Sequence, residues 1–213
     1  MIPKLHYISQ GKTSKEHIEN IQKACASGAE LVQLYLDSSS EKKRLNCAQE
    51  ARDITSHFQT RLIIVDQYKI AKAVKADGVH FTTINSFPTN VKADLYPWQI
   101  IAGTANTIQD CEKLLDKQVS YMYLGPFRES SNGTTLPILG LNGYTAITKL
   151  LKTGTPIIGF GGITTQDVTA IVQTGLSGVA VSDEITHDFN TIRTYNKLLN
   201  ASSTAEQRHT FTS

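Results

Sequence analysis

Gly159-Phe160-Gly161-Gly162-Ile163 is the run in this chain best suited to approach an anion. Gly161 and Gly162 carry no Cβ to hold a ligand away from the backbone. Thr164-Thr165 follows and opens a helix-like stretch, so N–H groups here can point at phosphate oxygens. Ser182, after the next β-rich run, is a second candidate for the same corner. A tight turn without a ligand is the plainer alternative.

Further polar residues recur where strand-like runs end. Gln33, Tyr35 and Asp37 alternate with Val32, Leu34 and Leu36, so the three share one face at a period of two. Asp66 closes the run Leu62-Ile63-Ile64-Val65, while Thr104 and Asn106 share a face near the end of another run. His80 lies inside Gly78-Val79-His80-Phe81, where it is either a proton-transfer group or a packed, hydrogen-bonded histidine. The stretch from Gly125 to Thr135 is polar and contains glycine, and it reads as a flap over an anion or as a solvated loop.

The elements that must hold these residues alternate eight times between β-rich runs and amphipathic stretches. The predicted strands cover residues 5–9, 31–35, 62–65, 78–81, 99–103, 121–124, 156–159 and 178–181. The predicted helices include 14–27, 41–56, 107–117, 141–151 and 165–174, with Ser14 as an N-cap and Gly28 and Gly175 at helix ends. The third helix, 68–75, is short. Residues 86–96 hold two prolines and read as a loop or a single turn. Eight such units predict a single α/β domain, a (β/α)8 TIM barrel over residues 1–200, followed by a polar tail that frays. An open doubly wound sheet would place its glycine-rich turn after the first strand, and Ser9-Gln10-Gly11-Lys12 is not such a turn. Active sites of this barrel form at the C-terminal ends of the strands, with phosphate after the seventh and eighth.

Composition narrows the function classes. With 213 residues, 40% hydrophobic, 19% charged and a formal charge of +2, the chain suits a globular enzyme of one domain. No basic run is interleaved with aromatics, which argues against nucleic acid. No apolar stretch is long enough for a membrane span. Cys25, Cys47 and Cys111 are scattered, as expected of free thiols in a reducing cytoplasm. His6 faces core or cavity; His17, His57, His187 and His209 read as surface residues.

Five runs, in order and at matching spacing, resemble the thiamine phosphate synthase/TenI superfamily over about residues 4–200. They are Gly28-Ala29-Glu30-Leu31-Val32-Gln33-Leu34, Ala76-Asp77-Gly78-Val79-His80, Tyr121-Met122-Tyr123-Leu124-Gly125-Pro126, Pro156 to Ile163, and Gly178-Val179-Ala180-Val181. The opening Leu5-His6-Tyr7-Ile8-Ser9 leans toward the TenI-like branch. The resemblance implies a ligand that is a small phosphorylated heterocycle, Mg²⁺ held by acidic residues, and a homodimer. The family's synthase joins a pyrimidine carried as its pyrophosphate to thiazole phosphate and releases pyrophosphate. By resemblance and position, Asp66, Gln33 and His80 are the catalytic candidates and Asp66 the metal ligand. Gly140, Gly161, Gly162, Ser182, Thr104, Ser130 and Asn132 are the substrate- and phosphate-binding candidates.

The chain departs from the synthase pattern at charged positions. Tyr35 and Asp37 replace the two cations that follow the glutamine in that pattern; Val65 precedes Asp66 in place of asparagine; and Asn85 stands for a metal-binding aspartate. Ser130-Ser131-Asn132-Gly133 lacks the flap lysine, and Asp183 replaces a serine beside the phosphate corner. A unit charge at about 4 Å and an effective dielectric near 20 is worth roughly 4 kcal/mol, about three decades of affinity. The first expectation is therefore a barrel of thiamine metabolism with altered chemistry that is not an efficient synthase. The synthase itself comes second, and a non-catalytic TenI-like binding or regulatory protein third. The thiazole tautomerase of the TenI branch carries its proton-transferring histidine where this chain has Pro126.

Overall fold

The computed structural model describes residues 1–36, 40–129 and 136–209, the side chains of 201–209 excepted. In chain order the elements are β1 (Leu5–Ile8), α1 (Ser14–Ala26), β2 (Leu31–Leu34), α2 (Glu41–His57), β3 (Arg61–Val65), α3 (Tyr68–Ala73), β4 (Gly78–Phe81) and α4 (Val91–Asp94). There follow β5 (Ile100–Ala105), α5 (Ile108–Asp116), β6 (Tyr121–Leu124), α6 (Gly140–Leu151), β7 (Ile157–Phe160), α7 (Val168–Gln173), β8 (Gly178–Val181), α8 (Asp183–His187) and α9 (Thr191–His209). All strand pairings are parallel, and β8 pairs back onto β1 to close the barrel.

Alternation within each strand divides its side chains between two cores. Val32, Leu34, Leu62, Ile64, Val79, Met122 and Val179 point outward and meet the helices in one continuous cluster. Ala102, Tyr121, Tyr123, Ile158 and Ala180 form a second cluster inside the barrel. Each fully buried Ile, Leu or Val contributes about 1.5–3 kcal/mol, so the outer cluster carries most of the stability.

The pairing register, stepped by the stagger of an eight-stranded barrel, stacks inward side chains in layers of four drawn from alternate strands. Toward the C-terminal ends the order is Leu31, Gly78, Tyr121 and Gly178; then His6, Ile63, Ala102 and Ile158. Next come Gln33, His80, Tyr123 and Ala180, and last Ile8, Val65, Thr104 and Phe160. Branched aliphatics are the usual filling. Here two histidines, two tyrosines and a glutamine are buried instead. His6 Nε2 lies 2.9 Å from Pro3 O, which can only accept, so Nε2 carries the proton and the Tyr123 hydroxyl donates to Nδ1 at 3.0 Å.

Several local expectations are corrected. Thr13, not Ser14, caps α1: its backbone is extended and its side chain accepts from the Glu16 amide. His17 is not a surface residue. At 8% exposure it lies on the same helical face as Ile21 and Ala24, and the Ser9 hydroxyl bonds its Nδ1 at 2.9 Å. The segment 86–96 holds, as expected, a single turn, α4, which follows a 3₁₀ turn at Ile84–Ser86. The backbone of α9 runs on past Ala201 to His209. Among the described residues no helix is long and apolar enough to cross a membrane.

Candidate functional site

The loop after β6 is pinned at both ends to the C-terminal rim. Asn106, immediately past β5, is buried, and its Nδ2 donates to Gly125 O at 2.7 Å and Pro137 O at 2.9 Å. The amides of Leu139 and Gly140 donate to Pro126 O and Phe127 O, which closes the neck of the loop. Gly140, expected to bind substrate, thus spends its N–H on the neck. Ser130 and Asn132 lie outside the described residues.

Replacing Asn106 by alanine removes both donors and leaves two carbonyls short of a partner. The expected loss in a urea denaturation curve is about 1–3 kcal/mol. Asn106→Asp should cost more, because a carboxylate of the same shape would face both carbonyls.

The first leg of this loop runs along the end of β7. Phe127 N–H donates to Phe160 O at 2.7 Å, and Arg128 N–H to Gly161 O at 3.1 Å. Gly161 and Gly162 have φ of +97° and +66°. A Cβ on Gly161 would lie 2.6 Å from Pro126 Cβ, and one on Gly162 would lie 2.5 Å from Arg128 Cγ. The space that glycine leaves is therefore taken first by the neighbouring loop, where the sequence pointed to an anion. The consequence is chemical all the same: Arg128 is laid across the turn.

The Arg128 guanidinium donates to Asp167 Oδ1 at 2.5 Å. Asp167 Oδ2 accepts from both the amide and the hydroxyl of Thr164 at 2.8 Å. Glu184 accepts from the Thr165 amide at 2.9 Å and its hydroxyl at 3.2 Å, and also from the buried Tyr195 hydroxyl. Asp183 accepts from Gln10 Nε2. Ser182 donates its hydroxyl to Ile8 O at 2.8 Å, a bond that joins β8 to β1. Asp167, Glu184 and Arg128 thus gather around the turn that the sequence marked for phosphate, while Asp183 turns to Gln10 on the loop after β1.

On the opposite rim, Asp66 takes a positive φ of 56° just past β3. Its carboxylate accepts from Thr82 N–H at 2.9 Å, the Thr82 hydroxyl at 2.6 Å and the Ser86 hydroxyl at 3.3 Å. Both oxygens are engaged in tying the end of β3 to the end of β4. Among the described residues no three His, Cys, Asp or Glu side chains gather as a metal site. With Asn85 in place of a second carboxylate, the described donors do not fit a protein-held Mg²⁺.

Gln33 and His80 sit one layer below the rim, at 3% and 1% exposure. His80 Nε2 is 2.8 Å from Thr104 Oγ1, and half-buried Thr104 is its link to the mouth. Burial, with His6 adding to it, lowers the His80 pKa to about 3, so the ring is neutral at physiological pH. Tyr35, just past the end of β2, is 52% exposed, and Asp37 lies outside the described residues. The structure brings Gln33, His80 and Thr104 into adjoining layers, with Asp66 at the rim above them.

A model described as thiamine monophosphate synthase matches residues 5–185. The chain belongs to this family. A thiamine-phosphate synthase of Flavobacterium johnsoniae is 35% identical over 190 residues, covering 87% of this chain and 90% of the relative. One from Bacteroides fragilis is 28% identical over 200 residues, covering 92% and 98%. The thiamine phosphate pyrophosphorylase of Pyrococcus furiosus superposes with a TM-score of 0.80 at 21% identity, covering 93% of this chain and 96% of that one, a likeness of fold. These relatives weigh toward the synthase, which the sequence analysis placed second to an altered chemistry.

Within this family member, sequence reasoning passed over Asp167 and the anchoring role of Asn106. The signal for Asp167 was present: Thr164 three residues before it is the spacing of a side chain bonding back to a turn amide. Nothing in the sequence marked Gln10 as the partner of Asp183, since 173 residues separate them.

Proposed function

We propose that this chain catalyses thiamine phosphate synthesis, joining a pyrimidine carried as its pyrophosphate to a thiazole phosphate with release of pyrophosphate. The observation that carries this reading is the family match across residues 5–185, together with the relatives named thiamine-phosphate synthase. The reaction needs two anionic ends held and a leaving pyrophosphate stabilised. Arg128 at the Gly161–Gly162 turn supplies positive charge at one end. Gln33 and Thr104 offer neutral hydrogen-bonding groups at the floor for a heterocycle. Neutral, sealed His80 orients Thr104 in this scheme and does not shuttle protons. The homodimer expected from the resemblance belongs to the same proposal.

A second reading keeps the ligands and gives up efficient transfer. It is favoured by one observation: both oxygens of Asp66 are engaged by Thr82 and Ser86, while Tyr35 stands where the synthase pattern has a cation.

Both readings require binding. Thiazole phosphate and the pyrimidine pyrophosphate should each raise the melting temperature in proportion to the logarithm of concentration over Kd, worth about 2.7 kcal/mol at a hundred times Kd. A melting temperature indifferent to both compounds at millimolar concentration would rule the proposal out.

A further inference from the structure

Among the described residues Arg128 is the cation laid on the Gly161–Gly162 turn, and it is held there by three separate features. Its amide is bonded to Gly161 O. Its Cγ and Cδ occupy the space over Gly162 that any side chain would fill, 2.5 and 3.2 Å from the position of a Cβ. Its guanidinium meets Asp167. That ion pair is half open: the Arg128 side chain is 45% exposed and the Asp167 side chain 14%.

The pair is asymmetric. Asp167 does not depend on the arginine, because Thr164 donates both its amide and its hydroxyl to the other carboxylate oxygen. Arg128 carries five N–H donors, and its bond to Asp167 comes from Nη2. A guanidinium suits a phosphate, which it can grip through two parallel bonds. The neighbouring carboxylates, Asp183 and Glu184, are tied to Gln10, Thr165 and Tyr195. A phosphate dianion entering this corner therefore meets Asp167 and Glu184 beside the turn and needs Arg128 to swing toward it.

We propose that Arg128 is the phosphate-binding cation of this site and that Asp167 competes with the ligand for it, so that the pair acts as an internal brake on phosphate affinity. This rests on the synthase reading for the identity of the ligand, but not on turnover. It gives the two residues opposite signs, which a merely structural ion pair would not do.

The experiment is calorimetric titration with the phosphate ester of hydroxyethylthiazole and with its free alcohol. Wild type, Arg128→Ala, Arg128→Lys and Asp167→Asn are compared, and melting curves without ligand establish that each is folded. Arg128→Ala should weaken the phosphate ester about tenfold or more and leave the alcohol unchanged, with Arg128→Lys in between. Asp167→Asn keeps an acceptor oxygen for Thr164 and should strengthen the ester about threefold or more. The proposal fails if Arg128→Ala leaves the ester's Kd unchanged, if it weakens ester and alcohol alike, or if Asp167→Asn weakens the ester. Product formation is measured separately. Absent turnover with Arg128-dependent ester binding would overturn the synthase reading alone, whereas normal turnover with Arg128-independent binding would overturn this inference alone.

Discussion

Below pH 6.5 the barrel should lose stability with a slope that approaches two protons, about 3 kcal/mol per pH unit. The source is its interior. His6 and His80 are fully buried, and burial lowers both to a pKa of about 3 from an ordinary 6.5, with Arg61 adding to the effect at His6 and His6 at His80. The groups packed against them are the rings of Tyr121 and Tyr123. Neither offers a negative charge to a protonated imidazole. Because the folded pKa lies below the unfolded one, the contribution is complete above about pH 6.5. It is lost as pH falls toward 3, where the native state would take up the same protons.

By pH 5 the loss is about 4 kcal/mol, a large part of the 5–15 kcal/mol that holds a typical domain together. Urea denaturation between pH 5 and 7.5 reads the slope directly. His80→Gln keeps a hydrogen-bonding group toward Thr104 and should reduce the slope by about one proton, whatever it does to absolute stability. A slope that His80→Gln leaves unchanged would place the acid sensitivity elsewhere.

Gly161→Ala should be the most damaging small substitution at the site. At φ +97° an L-residue is strained by about 1–2 kcal/mol or more. Its Cβ would also sit 2.6 Å from Pro126 Cβ and 2.8 Å from Pro126 Cα. Relieving that overlap pushes the loop off β7 and costs roughly a further 1–3 kcal/mol. The total is about 3 kcal/mol, with ester binding weakened at least tenfold because Arg128 leaves with the loop. Gly28→Ala is the matched control. Its φ of +94° is nearly the same, but a Cβ there meets nothing within 4 Å, so strain of about 1–2 kcal/mol is expected without loss of binding. Equal losses in the two variants would show that loop packing against Gly161 is unimportant.

The barrel was legible in the sequence because each strand carries its own signature. Gly78-Val79-His80-Phe81 and Tyr121-Met122-Tyr123-Leu124 are bounded by turn residues, and both appear in the structure with those limits. Helix ends were legible to within a few residues, since a cap such as Thr13 differs from Ser14 only in which backbone remains extended. The candidate site was legible only as a place in the barrel. Gly161, Gly162, Asp66 and Thr104 all lie at the C-terminal rim or one layer inside it. Their partners were not legible, because a bond such as Asn106 to Pro137 or Gln10 to Asp183 depends on closure of the whole barrel. The place of Arg128 was not legible either, since its position over Gly162 becomes visible only when β6 and β7 lie side by side.

The central claim is that this family member forms thiamine phosphate. Purified protein is incubated with the pyrimidine pyrophosphate, thiazole phosphate and Mg²⁺, and thiamine phosphate and released pyrophosphate are quantified together. The expected result is equal amounts of the two products, accumulating over many turnovers per barrel and reduced at least tenfold in Gly161→Ala. Thiamine phosphate at or below the uncatalysed level, from protein that binds both precursors, would contradict the claim and leave the barrel a binder of the family's ligands.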